Sequence, residues 1–290
     1  MGVSLFRLAY VKQLALCAAV GGAMLVSAGA NAGALDRARD SGIFKIGYRT
    51  DAAPYSYKND SGKPAGYVVD LCREVAAAVQ KEAGREVKVE YVIVTAENRF
   101  DAVQSGKIDI LCEATTATLA RRKLVDFSLM TFIDGAGVIV RKDGPQSFAS
   151  MSGQKIGVHA GTTTEKALQK TLIDLDIKAE VVEVADHEQG VKMLADGKLA
   201  AYFADRAILS FLLIGPDSPK NILIAKDYLT REPYALALAR GDDDFRLLVD
   251  TTLARLYRSS AIDKIFARNF ANAKPSDVLK ALYIINALPE

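Results

Sequence analysis

The chain has 290 residues, of which 50% are hydrophobic and 25% are charged, and its formal net charge at pH 7 is +2. Two of the 37 basic residues, Arg7 and Lys12, lie in an N-terminal leader, which leaves 35 basic against 35 acidic residues. This balance argues against a nucleic-acid-binding protein, because such a protein needs a basic face. The 258 residues after the leader exceed the usual size of a single core, which favours two domains.

Residues 1–32 have the features of a secretory signal peptide. The basic residues are followed by an apolar run from Leu14 to Val26 and by the small residues Ala30-Asn31-Ala32, which fit a cleavage site. The run is shorter than the roughly 20 residues that span a bilayer, so a membrane anchor is the weaker alternative. We predict cleavage after Ala32 and a periplasmic protein.

Strands and helices alternate through the rest of the chain. This alternation predicts an α/β fold of two similar lobes with mostly parallel sheets. In chain order, the predicted elements are a strand at 44–49, a helix at 69–83, strands at 87–94, 137–141 and 155–159, a helix at 165–175, strands at 180–184, 222–225 and 234–239, one or two helices within 243–270, and a helix in the tail 274–290.

One segment occurs twice, at residues 103–113 and again at 194–204, with Gly106 and Gly197 in register. In both copies a helical run ends at the glycine, where a positive φ is needed, and an apolar strand follows. The repeat predicts two lobes with a cleft between them. Because open α/β sheets bind ligands beyond the carboxyl ends of their strands, the residues after Cys112 and Phe203 are the first candidates for a site.

Two threonine-rich loops follow predicted strands. Gly161-Thr162-Thr163-Thr164-Glu165 opens a helix and offers an anion site, although a helix capped by Thr163 or Thr164 explains the same pattern. In the other lobe, Thr115 and Thr116 precede Arg121 by about one helical turn. Together these residues can clamp a carboxylate from both sides. Asp205 has the charge for an ammonium group, and the combination describes an α-amino acid.

Further basic residues lie at predicted strand ends on the same side. Arg49 ends the first strand, and Arg99 follows the strand at 87–94. Both exceed what one carboxylate needs, which indicates a second acid group on the ligand, although surface ion pairs explain most arginines. His187 lies at a helix start and can add a donor, whereas His159 lies within a strand and is predicted to be a core residue.

The sequence offers little for catalysis. Two histidines and two remaining cysteines give no metal-ligand spacing, and no Gly-x-Ser-x-Gly motif is present. We expect no metal, no cofactor and no catalytic residue, while an enzyme with a carboxylate base stays open. Cys72 and Cys112 can form a disulfide in an oxidising compartment or remain as two buried thiols.

The ordered motifs together resemble a known family over nearly the whole chain after the leader. They are similar to the periplasmic polar-amino-acid-binding proteins of ABC importers, solute-binding protein family 3, and within them most resemble the glutamate/aspartate binders. The matching segments are Gly47-Tyr-Arg-Thr-Asp-Ala-Ala-Pro-Tyr-Ser-Tyr57, Gly66-Tyr-Val-Val-Asp-Leu71, Asn98-Arg99, Gly106-Lys-Ile-Asp109, Thr115-Thr116 with Arg121, Phe127-Ser128 and Gly161-Thr-Thr163.

The resemblance implies a type II periplasmic-binding-protein fold, with lobe 1 at 33–133 and 235–290, lobe 2 at 134–234, and crossover strands between them. It also implies a disulfide between Cys72 and Cys112, an amino-acid ligand, an inner-membrane ABC permease as partner, and a monomer. The implied site has three parts: Thr116, Arg121, Thr162 and Thr163 for the α-carboxylate, Asp205 for the ammonium, and Arg49, Arg99 and His187 for a side-chain acid.

Several residues depart from the family pattern at the site. Ala96 and Ala114 stand where glutamate/aspartate binders tend to have hydroxyl residues, and Glu113 replaces a small residue. These departures bear on which amino acid is bound more than on the ligand class. An enzyme on the same fold, such as a cyclohexadienyl dehydratase-like lyase, is the first alternative. A ligand-sensing module is the second, and it would need a membrane-spanning segment, which is not found between the leader and Glu290.

Overall fold

Two five-stranded sheets form the framework of the fold. The computed structural model describes residues 32–214, 218–226, 228–271 and 273–290, so the predicted signal peptide lies outside it apart from Ala32. Labelled in chain order within these residues, the helices are α1 (Ala34–Ser41), α2 (Tyr67–Ala83), α3 (Arg99–Gln104), α4 (Thr163–Asp174), α5 (His187–Ala195), α6 (Arg206–Leu212), α7 (Asp243–Arg258), α8 (Ala261–Asn269) and α9 (Asp277–Asn286). The strands are β1 (Ile43–Tyr48), β2 (Asp51–Ala52), β3 (Ser56–Lys58), β4 (Pro64–Ala65), β5 (Lys88–Ile93), β6 (Ile110–Leu111), β7 (Asp126–Asp134), β8 (Ala136–Arg141), β9 (Lys155–His159), β10 (Glu180–Val184), β11 (Ala201–Asp205), β12 (Ile222–Ile224) and β13 (Glu232–Leu238).

The two sheets have matching topologies. The first has the strand order β5-β1-β6-β13-β7 and the second the order β10-β9-β11-β8-β12. In each sheet three neighbouring strands are parallel, and the other two run antiparallel to their neighbours. The chain passes from the first sheet to the second between β7 and β8 and returns between β12 and β13. Residues 33–290 form one compact unit.

The repeated segment forms the same local structure in both copies. Gly106 follows α3 with φ +69°, and Gly197 follows α5 with φ +74°. Each glycine reverses the chain into a strand: β6 pairs in parallel with β1, and β11 pairs in parallel with β9. The local prediction from the two segments is therefore confirmed: a left-handed glycine turns a helix back into the sheet.

Aromatic side chains pack where the first sheet meets its helices. Phe132 on β7 stacks on Phe266 and Phe270, and Tyr67 donates a hydrogen bond of 2.8 Å to the carbonyl oxygen of Thr131. Tyr67, Phe132 and Phe266 are buried and Phe270 is partly buried, and their packing holds β7 against the start of α2. No helix among the described residues has the length and apolar character needed to cross a membrane.

A disulfide joins Cys72 on α2 to Cys112 beyond β6, with the Cα atoms 6.3 Å apart. The predicted pairing is confirmed. Because it closes a segment of 40 residues, we expect Cys72→Ala/Cys112→Ala to lower the free energy of unfolding by about 2–4 kcal/mol. Denaturant titration measures this loss, and wild type under reducing conditions serves as the matched control. An unchanged unfolding midpoint in both samples would contradict the prediction.

Candidate functional site

All eight predicted ligand-binding residues line one cavity, which we call the cleft. It encloses about 360 Å³ of empty space, part of it open to solvent. Its wall consists of Arg49, Arg99, Ala114, Thr116, Arg121, His159, Thr162, Thr163, Thr164, His187, Phe203, Ala204 and Asp205. The structure thus brings together residues that are up to 156 positions apart in the sequence, from Arg49 to Asp205.

The topology explains this convergence. Arg49 directly follows β1, Thr116 lies beyond β6, and Asp205 is the last residue of β11. The parallel strands of each sheet direct their carboxyl ends to the same edge, where loops and helix starts form the cleft. Arg99 and His187 are the first residues of α3 and α5, so both are placed by helix starts at that edge.

Arg121 is a cation of the cleft and has no carboxylate partner in the described part of the chain. Its Nη1 donates a 3.0 Å hydrogen bond to the Thr116 carbonyl oxygen, and its guanidinium lies 5.2 Å from the centre of the Phe100 ring. It forms no ion pair with any residue that the structure describes. Burial, and after it the charge of Arg99, lower the pKa of Arg121 to about 10. The side chain is still a cation at neutral pH, and a bound anion would stabilise it.

A carboxylate that the sequence analysis missed lies between the two threonine loops. Glu232 Oε2 accepts hydrogen bonds from the hydroxyls of Thr116 and Thr163, the latter at 2.6 Å. Thr230 donates to Oε1 at 2.8 Å. Glu232 opens β13 and belongs to no motif. It reaches Thr116 only because β13 pairs alongside that loop, where Ala117 N donates to the Pro233 carbonyl oxygen at 2.8 Å.

Thr162 has a structural task in addition to lining the cleft. Its hydroxyl accepts from Glu165 N and caps α4, and it donates to the His159 carbonyl oxygen at 2.8 Å. The expected cap at Thr163 or Thr164 was therefore wrong by one or two residues, because the chain leaves its extended conformation at Thr162. The hydroxyl of Thr163 is directed instead to Glu232.

Three carboxylates form an acidic cluster beside the cleft: Asp134, Asp205 and Glu232. Burial first, and then the charges of Glu232 and Asp134, hold the pKa of Asp205 well above its ordinary value. Burial also raises the pKa of Asp134, which accepts a 2.8 Å hydrogen bond from the Tyr55 hydroxyl. A cation placed against this cluster would relieve the repulsion among its members, so the cluster favours an ammonium group.

The two arginines predicted to face a side-chain acid each have a carboxylate partner within the protein. Arg99 Nη1 lies 2.7 Å from Glu113 Oε1, and the two side chains are only 2% and 0% exposed. Arg49 binds Asp51 with two hydrogen bonds, of 2.9 and 2.7 Å. Burial tends to raise the pKa of Asp51, yet contacts with His159 and Arg49 hold it well below its usual range. Neither guanidinium charge is left uncompensated.

Both histidines lie at the cleft. His187 Nδ1 lies 2.7 Å from the Tyr202 hydroxyl, and burial, followed by the charge of Arg49, lowers the pKa of His187 to about 3. The ring is therefore neutral at neutral pH. His159, which we predicted to be a core residue, is buried but also forms part of the cleft wall, with its Nε2 3.6 Å from Asp51. Its position at the carboxyl end of β9 was the signal that could have placed it there.

The chain is similar to solute-binding proteins along most of its length. Residues 44–272 match the model of the bacterial extracellular solute-binding proteins, family 3. The L-glutamate/L-aspartate-binding protein of Pseudomonas aeruginosa is 31% identical, over 84% of this chain and 82% of that protein. The glutamate/aspartate import solute-binding protein of Escherichia coli is 29% identical, over 93% and 94%.

Solved structures have the same fold. The crystal structure of an ancestral amino acid-binding protein, described as a precursor of cyclohexadienyl dehydratase, superposes with a TM-score of 0.71 at 27% identity. The match covers 82% of this chain and all of that one. The fold is that of the type II periplasmic binding proteins.

Proposed function

Because the chain belongs to the bacterial extracellular solute-binding proteins of family 3, we propose that it is a receptor that binds an α-amino acid in the cleft and delivers it to an ABC permease. The observation that carries the proposal is that one cavity is lined both by a cation that is unpaired within the described part of the chain and by a carboxylate from a crowded group. Arg121 is a cation without a carboxylate partner among the described residues, and Asp205 belongs to a crowded group of carboxylates. An α-amino acid carries both complementary charges: its α-carboxylate can pair with Arg121 and its α-ammonium with Asp205.

The remaining contacts assign roles to the other residues. Thr116 and Thr163 lie beyond strands of different sheets, with their hydroxyl oxygens 3.3 Å apart, and Thr162 lies at the start of α4, where a helix favours an anion. These three would hold the carboxylate together with Arg121, while Arg49, Arg99 and His187 would meet the ligand's side chain. An acidic side chain agrees with the names of two relatives and stays a prediction.

The same proposal includes a two-lobed architecture and an extracytoplasmic location. Lobe 1 would comprise residues 33–133 and 235–290 and lobe 2 residues 134–234, each built on one of the two sheets. Binding would close the lobes on the ligand. The protein would act in the periplasm as a monomer after cleavage behind Ala32.

An enzyme on the same fold is the rival function, since one solved neighbour is described as a precursor of a dehydratase. Incubation of the purified protein with a mixture of the common L-amino acids, followed by mass spectrometry, separates the two. We expect the protein to retain at least one amino acid through desalting and to release it unchanged on denaturation. Conversion of an added amino acid into a different compound would favour the enzyme. Retention of no amino acid would contradict the receptor.

A further inference from the structure

The part of the cleft formed by Arg49, Arg99 and His187, which we call the side-chain end, has its charges balanced within the protein. Asp51 compensates Arg49 through two hydrogen bonds, and Glu113 compensates Arg99 at 2.7 Å. The Glu113 side chain has no exposed surface, so it acts on a ligand through its charge and through its pairing with Arg99, not by direct contact. Thr115 also donates to Glu113 Oε1, which fixes the carboxylate in place.

A ligand carboxylate would therefore enter the side-chain end as an unbalanced anion. Two cations and two anions are already present, and His187 is neutral at pH 7 because burial and the charge of Arg49 depress its pKa. The ligand would also lie near two carboxylates of its own sign, the buried Glu113 and the partly buried Asp51. A charge that leaves water carries a large desolvation cost unless a free opposite charge meets it, and here both arginines are already paired.

The side-chain end nevertheless offers hydrogen bonds. Arg99 Nε and His187 Nε2 are buried and have no hydrogen-bond partner among the described residues. When the Tyr202 hydroxyl donates to His187 Nδ1, His187 Nε2 carries the proton and becomes a donor. A neutral carbonyl oxygen can accept from such donors, whereas an apolar side chain would leave them unsatisfied.

We infer that the side-chain end selects a neutral amide side chain, that of glutamine or asparagine, over the carboxylate of glutamate or aspartate, and that Glu113 sets this preference by neutralising Arg99. The inference rests on the proposed amino-acid receptor and replaces the acidic side chain expected from the sequence with an amide. The two arginines that predicted an acidic ligand lie in the cleft, but Arg99 is paired with Glu113 and Arg49 with Asp51.

Calorimetry of the ligand-free protein at pH 7 with L-glutamine, L-asparagine, L-glutamate and L-aspartate tests this inference. We expect one of the amides to bind wild type at least tenfold more tightly than either acid. Glu113→Gln keeps a hydrogen-bond acceptor for Arg99 but removes its counter-charge, so the ratio of acid to amide affinity should rise at least tenfold. Asp51→Asn should shift the ratio in the same direction through Arg49.

Asp101→Asn is the matched control, because it removes a carboxylate on α3 two residues from Arg99 but at the surface. Its affinity ratio should stay within twofold of wild type. A wild-type preference for glutamate or aspartate, or a folded Glu113→Gln protein with an unchanged ratio, would overturn the inference and leave the receptor standing. If Glu113→Gln fails to fold, the wild-type ranking decides alone. Binding of no amino acid at all would overturn the proposed function itself.

Discussion

Arg121→Ala is expected to reduce the affinity for every α-amino acid ligand at least 30-fold, since all of them share the carboxylate. Removing one partner of a buried charge pair costs about 2–5 kcal/mol of binding free energy, and about 1.4 kcal/mol corresponds to a factor of ten. Among the described residues, the Arg121 side chain has a backbone carbonyl oxygen and an aromatic ring as partners, and its pKa is lowered by burial. The fold should therefore lose little when the side chain is removed.

Calorimetry with the tightest wild-type ligand measures the effect, and circular dichroism checks that the variant is folded. Lys123→Ala, which removes an exposed cation two residues away, should bind as wild type does. Arg121→Lys keeps the charge but loses the two-pronged geometry and should fall between wild type and the alanine variant. A folded Arg121→Ala protein that binds within threefold of wild type would exclude Arg121 as the carboxylate anchor.

Asp205→Asn is expected to weaken binding while making the ligand-free protein more stable at pH 7. The variant keeps an oxygen acceptor but removes the charge that meets the ammonium, which we expect to cost about 2 kcal/mol or more, or roughly 30-fold in affinity. In the free protein, burial and the charges of Glu232 and Asp134 make ionisation of Asp205 unfavourable and raise its pKa. Replacing the carboxyl group by a neutral amide removes that cost.

The pH dependence of the stability gain follows from the direction of the pKa shift. The pKa of Asp205 is raised in the folded protein, so the unfolded chain ionises this carboxyl more readily and the fold loses stability as the pH rises from 3.8 to the folded pKa. The gain of Asp205→Asn should be largest above that pKa and should disappear below pH 3.8, where the carboxyl is protonated in both states. Thermal denaturation between pH 3 and 8 measures it, with the exposed Glu183→Gln as control. A variant that is both less stable and equally tight in binding would contradict the assignment.

The sequence by itself determined the alternation of helices and strands and most positions of the cleft, but it did not predict β7, α1 or the short strands β2 to β4. Helix and strand periodicity depends on neighbouring residues, so the repeated segments with Gly106 and Gly197 predicted their own turns correctly. Parallel strands share one carboxyl edge, and for this reason residues after separate strands, such as Arg49 and Thr116, were expected near one another. The observed cleft contains both.

Only the tertiary structure decided which charges in the cleft remain available. Glu113 lies 14 residues from Arg99, and Glu232 lies 116 residues from Thr116. Neither pairing follows from local periodicity, because each depends on how loops beyond different strands meet once the sheets have formed. Two arginines in a sequence count as two positive charges, but each forms an ion pair with a carboxylate in the fold, and each pair has no net charge. For this reason the sequence predicts an acidic ligand, whereas the paired charges in the fold lead us to infer an amide.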